Sequence, residues 1–273
     1  MRKARAKSSR RHMYSIPPPN FIYCSYKVTV QFADDLGNNK SCRGTGFFVA
    51  TADNKVAFIT NRHVLDAGYK KPLTDKSMHL IKHNILGKTR QGDTYELLVD
   101  PNQAPVFPLN YADDIACIVD PRCSSTAPNA DIFHHFGIEA LADEHLFSDG
   151  LYPGEQVFYA GFPDPHDKLA QRPLLRSGTV ASDPKYPYSN TGEDEGARVA
   201  YEAFSSGGAS GSPVWAAARS FKDYPGSRTG AVVGVNAGHI EGSFGAHSGI
   251  SFFYKSSIVL QLLRNSGLST GAP

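Results

Sequence analysis

The chain has 273 residues, with 28 Lys and Arg against 26 Asp and Glu, 16 Phe and 13 Tyr. A formal charge of +2 and this many aromatics exclude intrinsic disorder, and so balanced a charge argues against broad electrostatic capture of nucleic acid. The length admits one large domain or two modest ones, and four cysteines are too few for a disulfide scaffold.

The N-terminus, MRKARAKSSRRHMYSIPPPN, starts like the positive region of a signal peptide, but Tyr14, Ser15 and three prolines stand where an apolar run would have to follow. Residues 1–22 are therefore expected to form a disordered basic arm, a solvated tail carrying Arg2, Lys3, Arg5, Lys7, Arg10 and Arg11. No stretch approaches the roughly 20 apolar residues of a membrane span. A cytoplasmic setting is the expectation, with Cys24, Cys42, Cys117 and Cys123 reduced and without metal-binding spacing. Neither a metal nor a cofactor is called for.

From residue 23 onward, short β-branched and aromatic runs alternate with turn signals. Strands are predicted at Tyr26–Phe32, Gly46–Ala50, Val56–Thr60, Tyr95–Val99 and Ile115–Val119. More follow at Gln156–Ala160, Thr179–Ala181, Val199–Phe204, Ala231–Val235 and Ile250–Tyr254. This spacing indicates an all-β sandwich or barrel. Residues 121–150 read as a linker between two β lobes, one at about 23–120 and the other at about 151–266. One helix is expected near the C-terminus, where Ile258, Val259, Leu262 and Leu263 recur at helical period behind a Ser256/Ser257 cap and before Gly267. Residues 267–273 read as a tail.

The strongest local motif is Gly208-Ala209-Ser210-Gly211-Ser212-Pro213. Glycines on both sides of a serine permit positive φ, so that Ser210 can stand exposed while the amides of Gly208 and Ser210 converge as an oxyanion hole. A serine hydroxyl needs an adjacent base, itself oriented by a third group. Of ten histidines, His63 stands out because it directly follows an apolar strand. His134 and His135 in the linker, His12 in the tail, and His79 and His83 in a Lys-rich segment read as solvated surface residues. His145, His166, His239 and His247 lie among turn formers. For the orienting carboxylate, Asp114 is favoured over Asp113, and strand alternation lets only one of the two face His63.

His63, Asp114 and Ser210 follow the order of the trypsin-like, chymotrypsin-fold serine proteases, which the chain resembles over about residues 23–266. The resemblance is carried by GTGFFVA, ITNRHVLDA, DDIACIV, GEQVFYAGFP, LRSGTV, GGASGSPVW, VVGVNAG and SGISFFYKSSIVLQLL. ITNRHV and the closing strand and helix look like the bacterial HtrA/Deg branch, and SGSPV and HVLDA like the bacterial glutamyl endopeptidases. The resemblance implies two antiparallel six-stranded β-barrels with the active site in the cleft between them, and a protein or peptide substrate.

Departures from the family pattern narrow these expectations. Ala209 stands where secreted trypsins carry the aspartate that a freed N-terminus engages, and Val64 stands where a disulfide beside the histidine would need a cysteine. Phe204, six residues before the serine, argues against selection of Arg or Lys. Asn236 occupies the place of the histidine that reads a substrate carboxylate in glutamyl endopeptidases, with His239 three residues on. A pocket for a small or apolar side chain is expected, with Gly238 pairing with the substrate backbone as an added strand. The resemblance is to the protease domain, and a PDZ module is not expected within these residues. The runner-up reading is a catalytically silent binding module on the same fold. An esterase is disfavoured, because its usual home is an α/β scaffold.

Overall fold

A computed structural model describes residues 16–71, 77–126, 132–219, 228–242 and 245–270. The expected basic arm lies outside the described residues as far as residue 15, and His12 with it. The part of the arm that is described is already folded. Phe21, at the start of a 3-10 turn over Phe21–Cys24, is buried and packs on Phe136 and Trp215 with ring centroids 5.9 and 5.8 Å away.

The first lobe comprises β1 (Ser25–Ala33), β2 (Asn39–Ala50), β3 (Val56–Thr60), β4 (His79–Lys88), β5 (Thr94–Val99), β6 (Ala116–Val119), β7 (Cys123–Ser125) and β8 (Phe136–Gly137). In β1 the period of two is plain: Tyr26, Val28, Val30 and Phe32 point into the lobe, while Lys27, Thr29 and Gln31 alternate with them on the other face. The strands run in the order β6-β3-β2-β1-β4-β5-β7, with β8 added parallel to β2. This lobe is thus an eight-stranded sheet rather than a closed six-stranded barrel. Its two end strands are nevertheless close in sequence: only residues 120–122 separate β6 from β7, and Asp120 starts the bend with a φ of 45° while its N–H still donates to Val56 O at 2.8 Å.

The second lobe is a closed six-stranded barrel, ordered β10-β11-β14-β13-β12-β9. Its strands are β9 (Gln156–Gly161), β10 (Leu174–Val180), β11 (Arg198–Glu202), β12 (Pro213–Ala216), β13 (Ala231–Glu241) and β14 (His247–Lys255). Apart from the β2–β8 pair every ladder is antiparallel, so the all-β architecture expected from the sequence holds.

The linker expected over 121–150 is partly built into the lobes: β7 and β8 extend the first sheet, and Phe136, Ile138 and Leu141 enter a core shared by both lobes. That core joins Phe47, Val49 and Ile59 of the first lobe to Phe158, Trp215 and Val235 of the second, so the lobes meet over apolar contact. The helix α2 (Ser256–Asn265) closes it with Val259, Leu262 and Leu263. Its serines do not cap it as expected. Ser256 Oγ donates to Ala142 O at 2.7 Å and Ser257 Oγ to Glu144 Oε1 at 2.5 Å, which ties the helix start to the linker. Gly267 ends the helix with a φ of 75°, and the tail returns to bury Leu268.

Two histidines differ from the surface role expected of them. His83 faces inward from β4, 1% exposed, with its ring 5.8 Å from that of Phe58, and burial pushes its pKa down to about 4. Burial also lowers the pKa of His134. The four cysteines are free thiols, and burial pushes those of Cys24 and Cys117 up to about 12.

Candidate active site

His63 lies on the single turn of α1 (Arg62–Leu65), which follows β3 directly. Asn61 holds the N-cap position but makes no side-chain cap. Its amide donates instead to Asp114 O at 2.6 Å, pinning the backbone of the carboxylate to the base of the histidine turn. Arg62 fixes the same turn from outside. It pairs with Asp66 at 3.0 Å, and its guanidinium lies 4.3 Å from the ring centroid of Phe107 and 4.6 Å from that of Tyr111. Tyr69 OH donates to the carbonyls of Tyr111 and Ala112, so the loop leading to the two aspartates is anchored next to His63.

Asp114 grips His63 at two points. Its Oδ1 accepts the His63 backbone N–H at 2.9 Å and its Oδ2 lies 2.5 Å from Nδ1. Asp114 is 7% exposed. A two-point contact sets the ring plane and favours the tautomer with the proton on Nδ1 and a free acceptor at Nε2. Asp113 is engaged elsewhere, accepting Ala197 N–H at 2.7 Å; the two aspartates lie in the turn before β6 rather than on a strand, so strand alternation does not set their directions. Burial is the largest influence on the pKa of Asp113, which is raised.

The serine loop is set by two glycines. Gly208 has a φ of +88°, and a Cβ there would lie 2.3 Å from Phe162 O; Gly211 has a φ of +90°, and its Cβ would lie 1.8 Å from Thr45 O. No side chain fits either place. The result is a pattern among the loop amides. Those of Ala209, Gly211 and Ser212 donate to Ser206 O, Asn236 O and Ala209 O, whereas those of Gly208 and Ser210 have no protein acceptor among the described residues. Ser210 Oγ donates to Ala237 O at 3.2 Å and makes no hydrogen bond to His63 in this arrangement.

Thr45, on β2, binds the loop across the cleft. Its amide donates to Ser210 O at 2.7 Å, its hydroxyl donates to Gly208 O at 2.8 Å, and the same hydroxyl accepts Phe162 N–H at 2.9 Å. Thr60 Oγ1 donates in turn to Thr45 O at 2.7 Å. The sequence singled out neither threonine.

Asn236, expected to line a specificity pocket, is enclosed behind the loop at 0% exposure. Its amide donates to Ser205 Oγ and Ala209 O, both at 2.9 Å, and its Oδ1 accepts Tyr201 OH at 2.7 Å. With its polar atoms engaged, the side chain supports the serine loop and offers nothing to the cleft. Phe204 is not at the base of a pocket either. It is 62% exposed and packs at a tilt on His247, centroids 4.8 Å apart, and His247 stacks on His239 at 4.3 Å. Burial, and then His239, lowers the pKa of His247. Gly238 lies on β13 past the last β12 partner, Val235, where the edge facing the serine is open among the described residues. No group of three or more His, Cys, Asp or Glu able to hold a metal occurs among the described residues.

Two β lobes that bring a histidine held by an aspartate, and a serine on a glycine-flanked loop, to one cleft have the architecture of a peptidase domain. A family model described as a trypsin-like peptidase domain matches residues 44–220, more than half of the chain, and the chain belongs to that family. No curated protein matches it. Of 226 solved chains that match, one is described as the crystal structure of Deg5. It has 15% identity and a TM-score of 0.49, over 88% of this chain and 87% of that one.

Proposed function

We propose that the chain is a serine endopeptidase. Ser210 Oγ attacks the scissile carbonyl, His63 Nε2 takes its proton and returns it to the leaving amine, and Asp114 holds the imidazole and stabilises its protonated form. The amides of Gly208 and Ser210 receive the developing oxyanion. Removing one such donor typically costs about 100- to 1000-fold in rate. The single observation that carries this reading is the pairing of a doubly held His63 with a serine motif in which the amides of Gly208 and Ser210 have no protein acceptor among the described residues. In the proposed reaction the Ser210 hydroxyl leaves Ala237 O for His63 Nε2 by turning about χ1. The open edge of β13 at Gly238 receives the substrate backbone as an added strand, flanked by the rings of His239, His247 and Phe204.

The competing reading, a silent binding module, draws its support from the resting position of the Ser210 hydroxyl on Ala237 O. Digestion of a peptide library separates the two. The wild-type chain is expected to cleave, and Ser210→Ala to lose cleavage with an unchanged circular dichroism spectrum. A folded wild-type chain that cleaves nothing, or a Ser210→Ala variant that cleaves as well as wild type, contradicts the proposal.

A further inference from the structure

β2 passes the serine on its carbonyl side: the Thr45 amide donates to Ser210 O at 2.7 Å, and a Cβ on Gly44 would lie 3.2 Å from the same oxygen. The acyl side of a substrate is accounted for elsewhere, along β13, where Ala237 O holds the Ser210 hydroxyl. The segment that departs with the leaving amine therefore runs towards β2. Arg43 is two residues from Thr45 on that strand, so their side chains share a face and start roughly 7 Å apart. Lys27 of β1 stands directly opposite Thr45 on the same face, diagonal to Arg43, at a separation of about 7–8 Å.

The loop between β9 and β10 lies against this face. Thr45 Oγ1 accepts the N–H of its first residue, Phe162, Lys88 Nζ donates to Ala170 O at 2.6 Å, and Lys27 Nζ donates to Gln171 Oε1 at 3.0 Å. Gln171 has a φ of 50°, in the left-handed region that few residues with a side chain adopt, and its Nε2 reaches back to Lys168 O at 2.7 Å. Lys168 is thus held beside the two cations of the sheet. Burial, and then the charges of Arg43 and Lys168, lowers the pKa of Lys27. Lys27, Arg43 and Lys168 are in no salt bridge among the described residues, and the partner of Lys27 is a neutral carboxamide. Three carboxylates belong to the surrounding elements. Asp167 turns its Oδ1 to the amides of Leu169 and Ala170 and acts on Lys88, Glu96 stands two strands from Lys27 with its Oε1 on Asn84, and Asp164 lies at the other end of the loop against Gly207. The charges that shift Lys27 are both positive. A half-buried ammonium beside two further cations is a costly arrangement that an anion relieves.

We infer that Lys27, Arg43 and Lys168 form a subsite for the leaving segment of the substrate and select an acidic side chain, Asp or Glu, at the second residue after the scissile bond. The inference rests on the serine endopeptidase reading above. Two residues of extended chain span about 7 Å, which matches the step along β2 from Thr45, bonded to Ser210 O, to Arg43. The carboxylate enters between the Arg43 guanidinium, whose planar fork suits two oxygens, and the two ammonium groups. It supplies there the negative charge that the three cations lack.

Acyl transfer tests the subsite separately from acylation. An activated ester that carries no residue on the leaving side forms the acyl-enzyme, and added glycyl-glutamic acid α-amide or glycyl-lysine α-amide competes with water for it. Attack by the amine forms a new amide bond and breaks the Ser210 Oγ–acyl bond, and the amine proton passes through His63 to Ser210 Oγ. The two dipeptides differ only at the second residue. Capture by the glutamic acid dipeptide is expected to exceed capture by the lysine dipeptide by about tenfold at low salt, given a few-fold per exposed charge pair, and the ratio should fall as salt rises. Arg43 and Lys168 are exposed. The double variant Arg43→Glu/Lys168→Glu should reverse the ratio, and the neutral pair Arg43→Gln/Lys168→Gln should bring it close to one. Equal or no capture of the two dipeptides by the wild type at low salt, a preference for the lysine dipeptide, or a ratio unchanged in the variants overturns the inference alone. A wild-type chain that forms no acyl-enzyme overturns the serine reading, and this inference with it.

Discussion

The backbone amide of Thr45, in the first lobe, donates to the carbonyl of Ser210, in the second, at 2.7 Å. Together with the Thr45 hydroxyl, which bridges Gly208 O and Phe162 N, this bond fixes the height of the serine loop over the cleft from the opposite lobe. Thr45→Val keeps the shape but leaves a buried carbonyl and a buried N–H unpaired, at about 1–3 kcal/mol for each group. Urea unfolding should show a loss of about 2–6 kcal/mol, with slower acylation, whereas Thr45→Ser should restore both. A Thr45→Val chain as stable and as active as wild type would show that the hydroxyl bridge is incidental.

The two neighbouring aspartates should separate cleanly. Asp114→Asn replaces the oxygen facing Nδ1 with a group that disfavours the required tautomer, and a fall in kcat of about ten-thousand-fold is expected. Asp113→Asn keeps an oxygen able to accept Ala197 N–H, so kcat should stay within a few-fold of wild type. Comparable losses from both substitutions would contradict the assignment of Asp114.

Gly208→Ala brings a methyl group to within 2.3 Å of Phe162 O at a φ of +88°. Relief requires the backbone to turn, and the amide pair of Gly208 and Ser210 turns with it. Turnover is expected to fall by about 100-fold or more, alongside a stability loss of about 1–3 kcal/mol. Steady-state kinetics beside thermal melts reads both effects. Full activity in this variant would remove Gly208 from the oxyanion site.

His83 makes the fold sensitive to acid. Its folded pKa, about 4, lies below the ordinary value of 6.5, so the unfolded chain binds the proton first as pH falls. The stability from keeping His83 neutral is complete above about pH 6.5 and is lost progressively down to about pH 4, a change on the order of 3 kcal/mol. His83→Leu should flatten this part of the stability–pH curve measured by denaturant unfolding. An equally steep curve in the variant would assign the acid sensitivity to other groups.

The sequence offers His63, Asp114 and Ser210 as the candidate residues because each sits in a short local pattern: an apolar strand before the histidine, a strand after the aspartate, and glycines around the serine. Thr45 is not among them, because its partners Gly208 and Phe162 are 163 and 117 residues away and only the packing of two lobes makes them neighbours. The strand β4 was missed for a related reason. Its outward positions carry His79 and Lys82, which made HLIKHNILGK look solvated, whereas its inward positions, His83, Ile85 and Gly87, alternate towards the core. Asn236 and Phe204 were placed by analogy of position. The bonds that enclose the first, and the tilted contact with His247 that goes with the surface position of the second, depend on strands β11, β13 and β14.

The most direct test of the central claim is mass spectrometry of the chain after reaction with a fluorophosphonate, with fragments assigned to residues. One adduct on Ser210 is expected in the wild type, none in Ser210→Ala, and strongly slowed labelling in His63→Ala, with all three chains folded. A folded wild-type chain that acquires no adduct, or acquires it on a residue other than Ser210, would contradict it.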